Sequence, residues 1–167
     1  YNLELRDNAM NTGSWNDTFS YQLVDPSYPA TMNSYSNLVE VQIPSNAFDS
    51  PNVIFLKENK MLQKIDRLDD SLYQISPSIS FISNDIVLNN SSRIIFDIED
   101  YTNCQVSELV IASISNEETI VYKTNYQNGT IFTDIDSLLT FAIFVNKNLN
   151  QFVPNDFFIY NNFPNPF

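Results

Sequence analysis

From Leu38 to Val145 the apolar residues arrive in short runs rich in Ile, Val, Phe and Tyr, and Asn, Asp, Ser or Pro closes each run. Branched and aromatic side chains suit a pleated, half-buried surface, while the small polar residues supply turns. Leu38, Val39, Val41 and Ile43 lead into Pro44-Ser45-Asn46-Ala47-Phe48, and Val53-Ile54-Phe55-Leu56 follows. Further strands are expected at Leu72 to Ile75, Ser80 to Ile82, Arg93 to Ile98, Leu109 to Ile114, Thr119 to Lys123, Thr130 to Thr133 and Leu139 to Val145. Strands this short and closely spaced predict an all-β chain folded as an antiparallel β-sandwich. Helical spacing is weak and confined to Leu56 to Leu68, where a short helix is the alternative. No repeat period is visible, so a solenoid is excluded.

Composition narrows the chemistry. The single cysteine, Cys104, cannot form an internal disulfide, so core packing must hold the fold. It has no histidine or basic neighbour to lower its pKa and reads as a packed, inert thiol. Histidine is absent altogether, which removes Ser-His-Asp and Cys-His machinery and the common zinc sites. Carboxylate, lysine and tyrosine roles remain, but the expectation is a non-enzyme without a cofactor. Twenty acidic against eight basic residues give a net charge of −12, which argues against nucleic acid and anionic membranes as partners. The longest apolar runs fall far short of the roughly 20 residues that span a bilayer. The start, Tyr1-Asn2-Leu3-Glu4-Leu5-Arg6, carries neither an initiator Met nor a signal-peptide pattern, and a segment of a longer, processed polypeptide is expected.

Residues 1–25 read as a hairpin. Leu3 and Leu5 alternate with polar residues, Asp7 to Thr12 forms the turn, and Trp15 and Phe19 to Leu23 supply the return strand. The pattern L-x-L-R-D-N-A-M-N-T-G-S-W-N-D-T-F-S resembles the last hairpin of Ig-like or fibronectin-type-III-like extracellular repeats, with Met10 where glycine is usual. A hairpin belonging to the same domain as the rest is the alternative. Asp25-Pro26-Ser27-Tyr28-Pro29 breaks the strand pattern, so residues 26–36 are expected to be a linker and 37–146 the sandwich.

Within that body, V-E-V-Q-I-P-S-N-A-F-D-S-P-N-V-I-F-L (residues 39 to 56) resembles the opening of the β-sandwich domain shared by ankyrins, netrin receptors and many bacterial surface proteins. Y-Q-I-S-P-S-I-S-F (73 to 81) is similar to a later strand of that family, and residues 92 to 144 to its closing half, through V-S-E-L-V-I-A-S-I, E-T-I-V-Y-K and N-G-T-I-F-T-D-I-D-S-L-L-T-F-A-I-F. Asn46, Ile79 and Leu139 stand where that family has glycine, so these turns must use asparagine's tolerance of positive φ or take another shape. Some members cleave themselves at a His-Phe-Ser step. Ser80-Phe81-Ile82-Ser83 lacks the histidine, and self-cleavage is not implied here.

Residues 147–167 read as a linker followed by Asn161-Asn162-Phe163-Pro164-Asn165-Pro166-Phe167, after the apolar Phe157-Phe158-Ile159-Tyr160. Two prolines between aromatics set a turn-rich entry into a strand. The motif resembles the opening of the C-terminal sorting domain of cargo for the Bacteroidetes-type (type IX) secretion system. That resemblance implies delivery to the cell surface or beyond, with the secretion machinery as a partner, and says nothing about chemistry.

Candidate ligand sites are few. Ca²⁺ takes about six to eight oxygens, and the acidic groups that could offer some are Asp66, Asp69 and Asp70; Asp97, Glu99 and Asp100; and Asp134 with Asp136. None has the spacing of a calcium loop, and alternate carboxylates on a strand also describe a solvated face. Trp15 and the tyrosines could form a sugar-stacking platform or pack as core. Ser71 and Ser137, each in an Asp-Ser-Leu triplet, resemble acceptors for O-linked glycans in exported proteins of the same bacterial group. The expected function is a non-catalytic extracellular module acting as a spacer, adhesion or assembly domain. A carbohydrate- or calcium-binding accessory domain of an exported hydrolase, and a subunit of a larger surface complex, are the alternatives.

Overall fold

The computed structural model describes residues 2–6, 12–16, 19–59, 72–84, 86–101, 104–114 and 119–147, with the backbone alone for 2–6 and 12–16. The strands are β1 (Asn2–Arg6), β2 (Thr12–Asn16), β3 (Phe19–Val24), β4 (Ala30–Asn33), β5 (Val39–Ile43), β6 (Asn52–Asn59) and β7 (Leu72–Gln74). They continue with β8 (Ser78–Ile82), β9 (Val87–Asp97), β10 (Leu109–Ile114), β11 (Thr119–Val121), β12 (Asn125–Gln127), β13 (Thr130–Ser137) and β14 (Thr140–Asn146). Two 3-10 turns, Glu99–Tyr101 and Val106–Glu108, interrupt them. Among the described residues no helix is long and apolar enough to cross a membrane.

The strands form an all-β antiparallel sandwich. One sheet is seven-stranded, in the order β11-β10-β14-β8-β6-β3 with β7 also on β14, and the other is five-stranded, in the order β12-β13-β9-β5-β4. Alternation puts one face of each sheet inward. Val39, Val41, Ile94 and Phe96 of the smaller sheet share a core with Ile54, Leu56, Ile111 and Phe141 of the larger. Phe141 anchors that core edge-on to Phe81 at 6.0 Å and beside Tyr122 at 5.7 Å. Turn chemistry closes the strands: Asn128 and Gly129, both at positive φ, join β12 to β13 in a two-residue hairpin.

Two expected boundaries move. Phe19–Val24 does not return along β1, because β1 pairs with β2 from Asn2↔Asn16 to Arg6↔Thr12. It is instead the edge strand of the larger sheet, aligned with β6 from Phe19↔Lys57 to Val24↔Asn52, and Val24 is in the core. The expected linker 26–36 contains β4, whose Met32 is also core, and both of its ends are tied down. The Asn46 N–H donates to the Pro26 carbonyl at 2.7 Å, and the Ser36 N–H and hydroxyl both donate to the Glu58 carboxylate. Pro26 and Pro29 mark the switch of the chain from one sheet to the other, which in sequence reads like a linker. The helical alternative over Leu56 to Leu68 is strand at 56–59, and its remainder lies outside the described residues.

Candidate functional site

Three of the acidic candidates, Asp97, Asp134 and Asp136, are engaged locally. Asp97 closes β9, and its carboxylate accepts the Glu99 N–H at 2.9 Å, opening the 3-10 turn that carries the exposed Glu99 and Asp100. Asp134 is bound by Arg93 (Nε to Oδ1, 2.8 Å), and Asp136 accepts from the Ser91 hydroxyl. Among the described residues no group of three or more Asp, Glu, Cys or His is placed to hold a metal ion. Ser137 is half-buried at the end of β13, opposite Val87 and just past a register shift. Ser71, Asp66, Asp69, Asp70 and the motif Asn162, Phe163, Pro164, Asn165, Pro166 and Phe167 lie outside the described residues, as does the side chain of Trp15. Cys104 is half-buried against the core.

Perturbed ionisation is slight and scattered. The Ser27 N–H, donating to its carboxylate at 2.8 Å, holds Asp25 below the usual carboxylate range. The hydrogen bond to Asp134 raises Arg93, and burial raises Tyr101, helped by the charge of Asp100. No two of these form a paired acid and base, and the Ser80 hydroxyl accepts from the Asn59 amide at 2.8 Å and shares a hydrogen bond with the Thr140 hydroxyl at 2.9 Å.

Exposed tyrosines do not converge on one platform. Tyr28 and Tyr35 lie on turns, Tyr73 carries the Lys147 ammonium 4.6 Å above its ring, and Tyr126 is on β12 at the edge of the smaller sheet. Tyr21 differs, because it joins an apolar surface that alternation had not suggested.

That surface covers the outward face of the larger sheet along β3, β6 and β8. Register sets Tyr21 beside Phe55, Leu23 beside Val53, and Phe55 beside Ile82. Phe55 meets Phe19 edge-on at 5.3 Å and Tyr21 at 6.3 Å. Tyr21 is 66% exposed, Leu23 62%, Ile82 55% and Val53 38%, so this is a true surface strip. The network of Asn59, Ser80 and Thr140 separates it from a second outward cluster, Val110, Ala112, Ala142 and Phe144, which is buried with Leu72 and Ile114 against it. The signal was present in the sequence: Val53-Ile54-Phe55-Leu56 and Phe141 to Val145 are unbroken apolar runs, which mark strands apolar on both faces.

The outward face of the smaller sheet is polar. Arg93 lies 4.8 Å over the Phe132 ring, with Asp134 at its other side. Depressions of about 390 Å³ and about 240 Å³ flank it and share Gln42. The larger also takes in Pro29 and Thr31, the smaller Gln127 and Asn128. No family model and no curated protein matches the chain.

Proposed function

We propose that this chain is a non-catalytic extracellular module whose task is assembly or adhesion, in a protein carried to the cell surface by the C-terminal motif around Pro164 and Pro166. The observation that carries the reading is the exposed apolar strip of Tyr21, Leu23, Val53 and Ile82 on the outward face of the larger sheet. Contiguous exposed apolar surface on a soluble domain marks an interaction site, and aromatic residues such as Tyr21 and Phe55 are enriched at the centres of such sites. The absence of histidine and the scattering of the titratable groups support a role without bond-making chemistry. The sandwich architecture supports, at the level of fold, the resemblance to the domain of ankyrins and netrin receptors.

The test is a photo-crosslinking residue at Tyr21, with Thr31 on the polar face of the other sheet as the control. In envelope fractions of a producing cell, protein adducts are expected from the Tyr21 position and not from Thr31. Equal yields at both positions, or none at either, would overturn the assembly reading.

A second reading rests on the depressions beside Arg93. Amides at Gln42, Gln127 and Asn128, a fixed guanidinium and an aromatic ring are groups that bind sugar hydroxyls and C–H faces, which supports a glycan-binding accessory role. Binding to a glycan array that is lost on Gln42→Ala or Arg93→Ala is its expected outcome, and a flat array removes it.

A further inference from the structure

Among the described residues the edge strand β3 shows none of the devices that keep sheet edges from pairing. Native edges are protected by charges, prolines, bulges or extreme shortness. Phe19-Ser20-Tyr21-Gln22-Leu23-Val24 is six residues long, in unbroken register with β6, and without a charge or a proline, in a chain whose net charge is −12. The other edges are shorter: β11 and β12 have three residues each and β4 has four. Among the described strands β3 pairs only with β6.

The backbone shows which groups face away. Gln22 Nε2 donates to the carbonyl of its own neighbour Leu23 at 2.9 Å, where a partner strand would place an N–H. In an antiparallel strand the N–H and C=O of one residue point the same way, and the direction alternates along the chain. Leu23 and Tyr21 therefore present their backbone groups outward from β6, and their side chains belong to the apolar strip.

We propose that two copies of this chain associate by antiparallel pairing of β3 with β3 about a two-fold axis at Gln22, joining their larger sheets into one. The proposal rests on the assembly reading of the strip and names its occupant. In this register Tyr21 of each copy lies opposite Leu23 of the other, and the Tyr21 N–H replaces Gln22 Nε2 on the Leu23 carbonyl. Aromatic-aliphatic cross-strand pairs are favourable, and no like charges meet. Elsewhere on the surface two such acidic molecules repel, so the uncharged strand is where charge permits a second copy to approach. The contact is self-complementary and closes at two, as a two-fold interface requires.

Sedimentation velocity over the micromolar range tests the dimer. The chain is expected to dimerise, and Leu23→Lys, at an exposed position, to raise the dissociation constant of the dimer at least about tenfold with an unchanged melting temperature. Register is tested separately by disulfide trapping in a Cys104→Ser background. Gln22 would face itself in a non-hydrogen-bonded pair with Cα atoms about 4.5 Å apart, inside the range a disulfide spans. Gln22→Cys is expected to form a disulfide-linked dimer, and Ser20→Cys, which faces Val24, is not. A monomer at every concentration overturns the proposal. So does a dimer indifferent to Leu23→Lys, or equal trapping through Ser20→Cys. Crosslinks from Tyr21 to proteins other than a second copy would overturn this inference while leaving the assembly reading intact.

Discussion

At the scale of single residues, a buried polar group costs stability unless it finds a hydrogen-bond partner. The Ser76 hydroxyl accepts the Ile143 N–H at 2.8 Å and donates to the Pro77 carbonyl, filling the gap in the β14 ladder between β7 and β8. Ser76→Ala leaves that amide buried without a partner and is expected to destabilise by about 1–3 kcal/mol in urea unfolding. Ser92 is the contrast. Among the described residues its buried Oγ has no hydrogen-bond partner, so Ser92→Ala is expected to be neutral or stabilising in the same measurement. Tyr101 gives a pH signature. Burial raises its pKa above the ordinary 10.0, so its contribution to stability is complete below pH 10 and is lost as pH rises through the folded value. Tyr101→Phe should flatten that alkaline loss, and an unchanged alkaline limb would refute the assignment. Asn46 shows what was legible at this scale: it stands where glycine was expected and takes positive φ (58°), whereas Ile79 is buried in β8. The roles of Ser76 and Ser92 were not legible, because a serine reads alike whether its hydroxyl closes a ladder or faces the core.

Elements were legible where alternation or an apolar run was strong and illegible where partner choice decided the outcome. β5 and β14 fall where the branched runs predict, since their inward residues alone commit them to a sheet, whereas β9 begins at Val87, ahead of the expected Arg93, and β13 runs on past Thr133 to Ser137. Sequence did not reveal that β3 leaves β2 for β6, because strand pairing is a non-local choice and the Asp25 to Pro29 turn suits a linker or a sheet switch equally. The doubly apolar centre of the larger sheet was signalled by the unbroken runs Val53 to Leu56 and Phe141 to Val145, which alternation alone does not resolve into two faces. Ala142 and Phe144 face one side of β14 while Phe141 and Ile143 face the other. Phe144→Ala is therefore expected to cost about 3–5 kcal/mol, as for a core phenylalanine. Tyr21→Ala on the exposed strip should leave unfolding nearly unchanged. If both truncations are mild, β14 is not apolar-packed on its second face.

Whole-molecule stability turns on where the sandwich begins, and two shortened chains decide it. If the body started after Asp25, removing residues 1–25 would spare it. The register of β3 along β6 says otherwise: the loss takes Val24, 1% exposed, out of the core and strips the outer hydrogen bonds of β6. Burying a Val contributes about 1.5–3 kcal/mol. β6 would then become an edge displaying Val53 and Phe55, a long apolar strand of the kind that promotes aggregation. A chain beginning at Asp17 keeps β3 and loses only β1 and β2, which pair with each other. It is expected to unfold at the temperature of the full chain, whereas a chain beginning at Pro26 melts lower and aggregates on heating. Equal melting temperatures for the two would show that β3 adds nothing to the sandwich and would restore the boundary at Asp25. The same pair bears on assembly: the Asp17 chain retains the edge proposed to dimerise, so it should sediment as the full chain does. If it remains a monomer while the full chain dimerises, the contact belongs to β1 and β2 and not to β3.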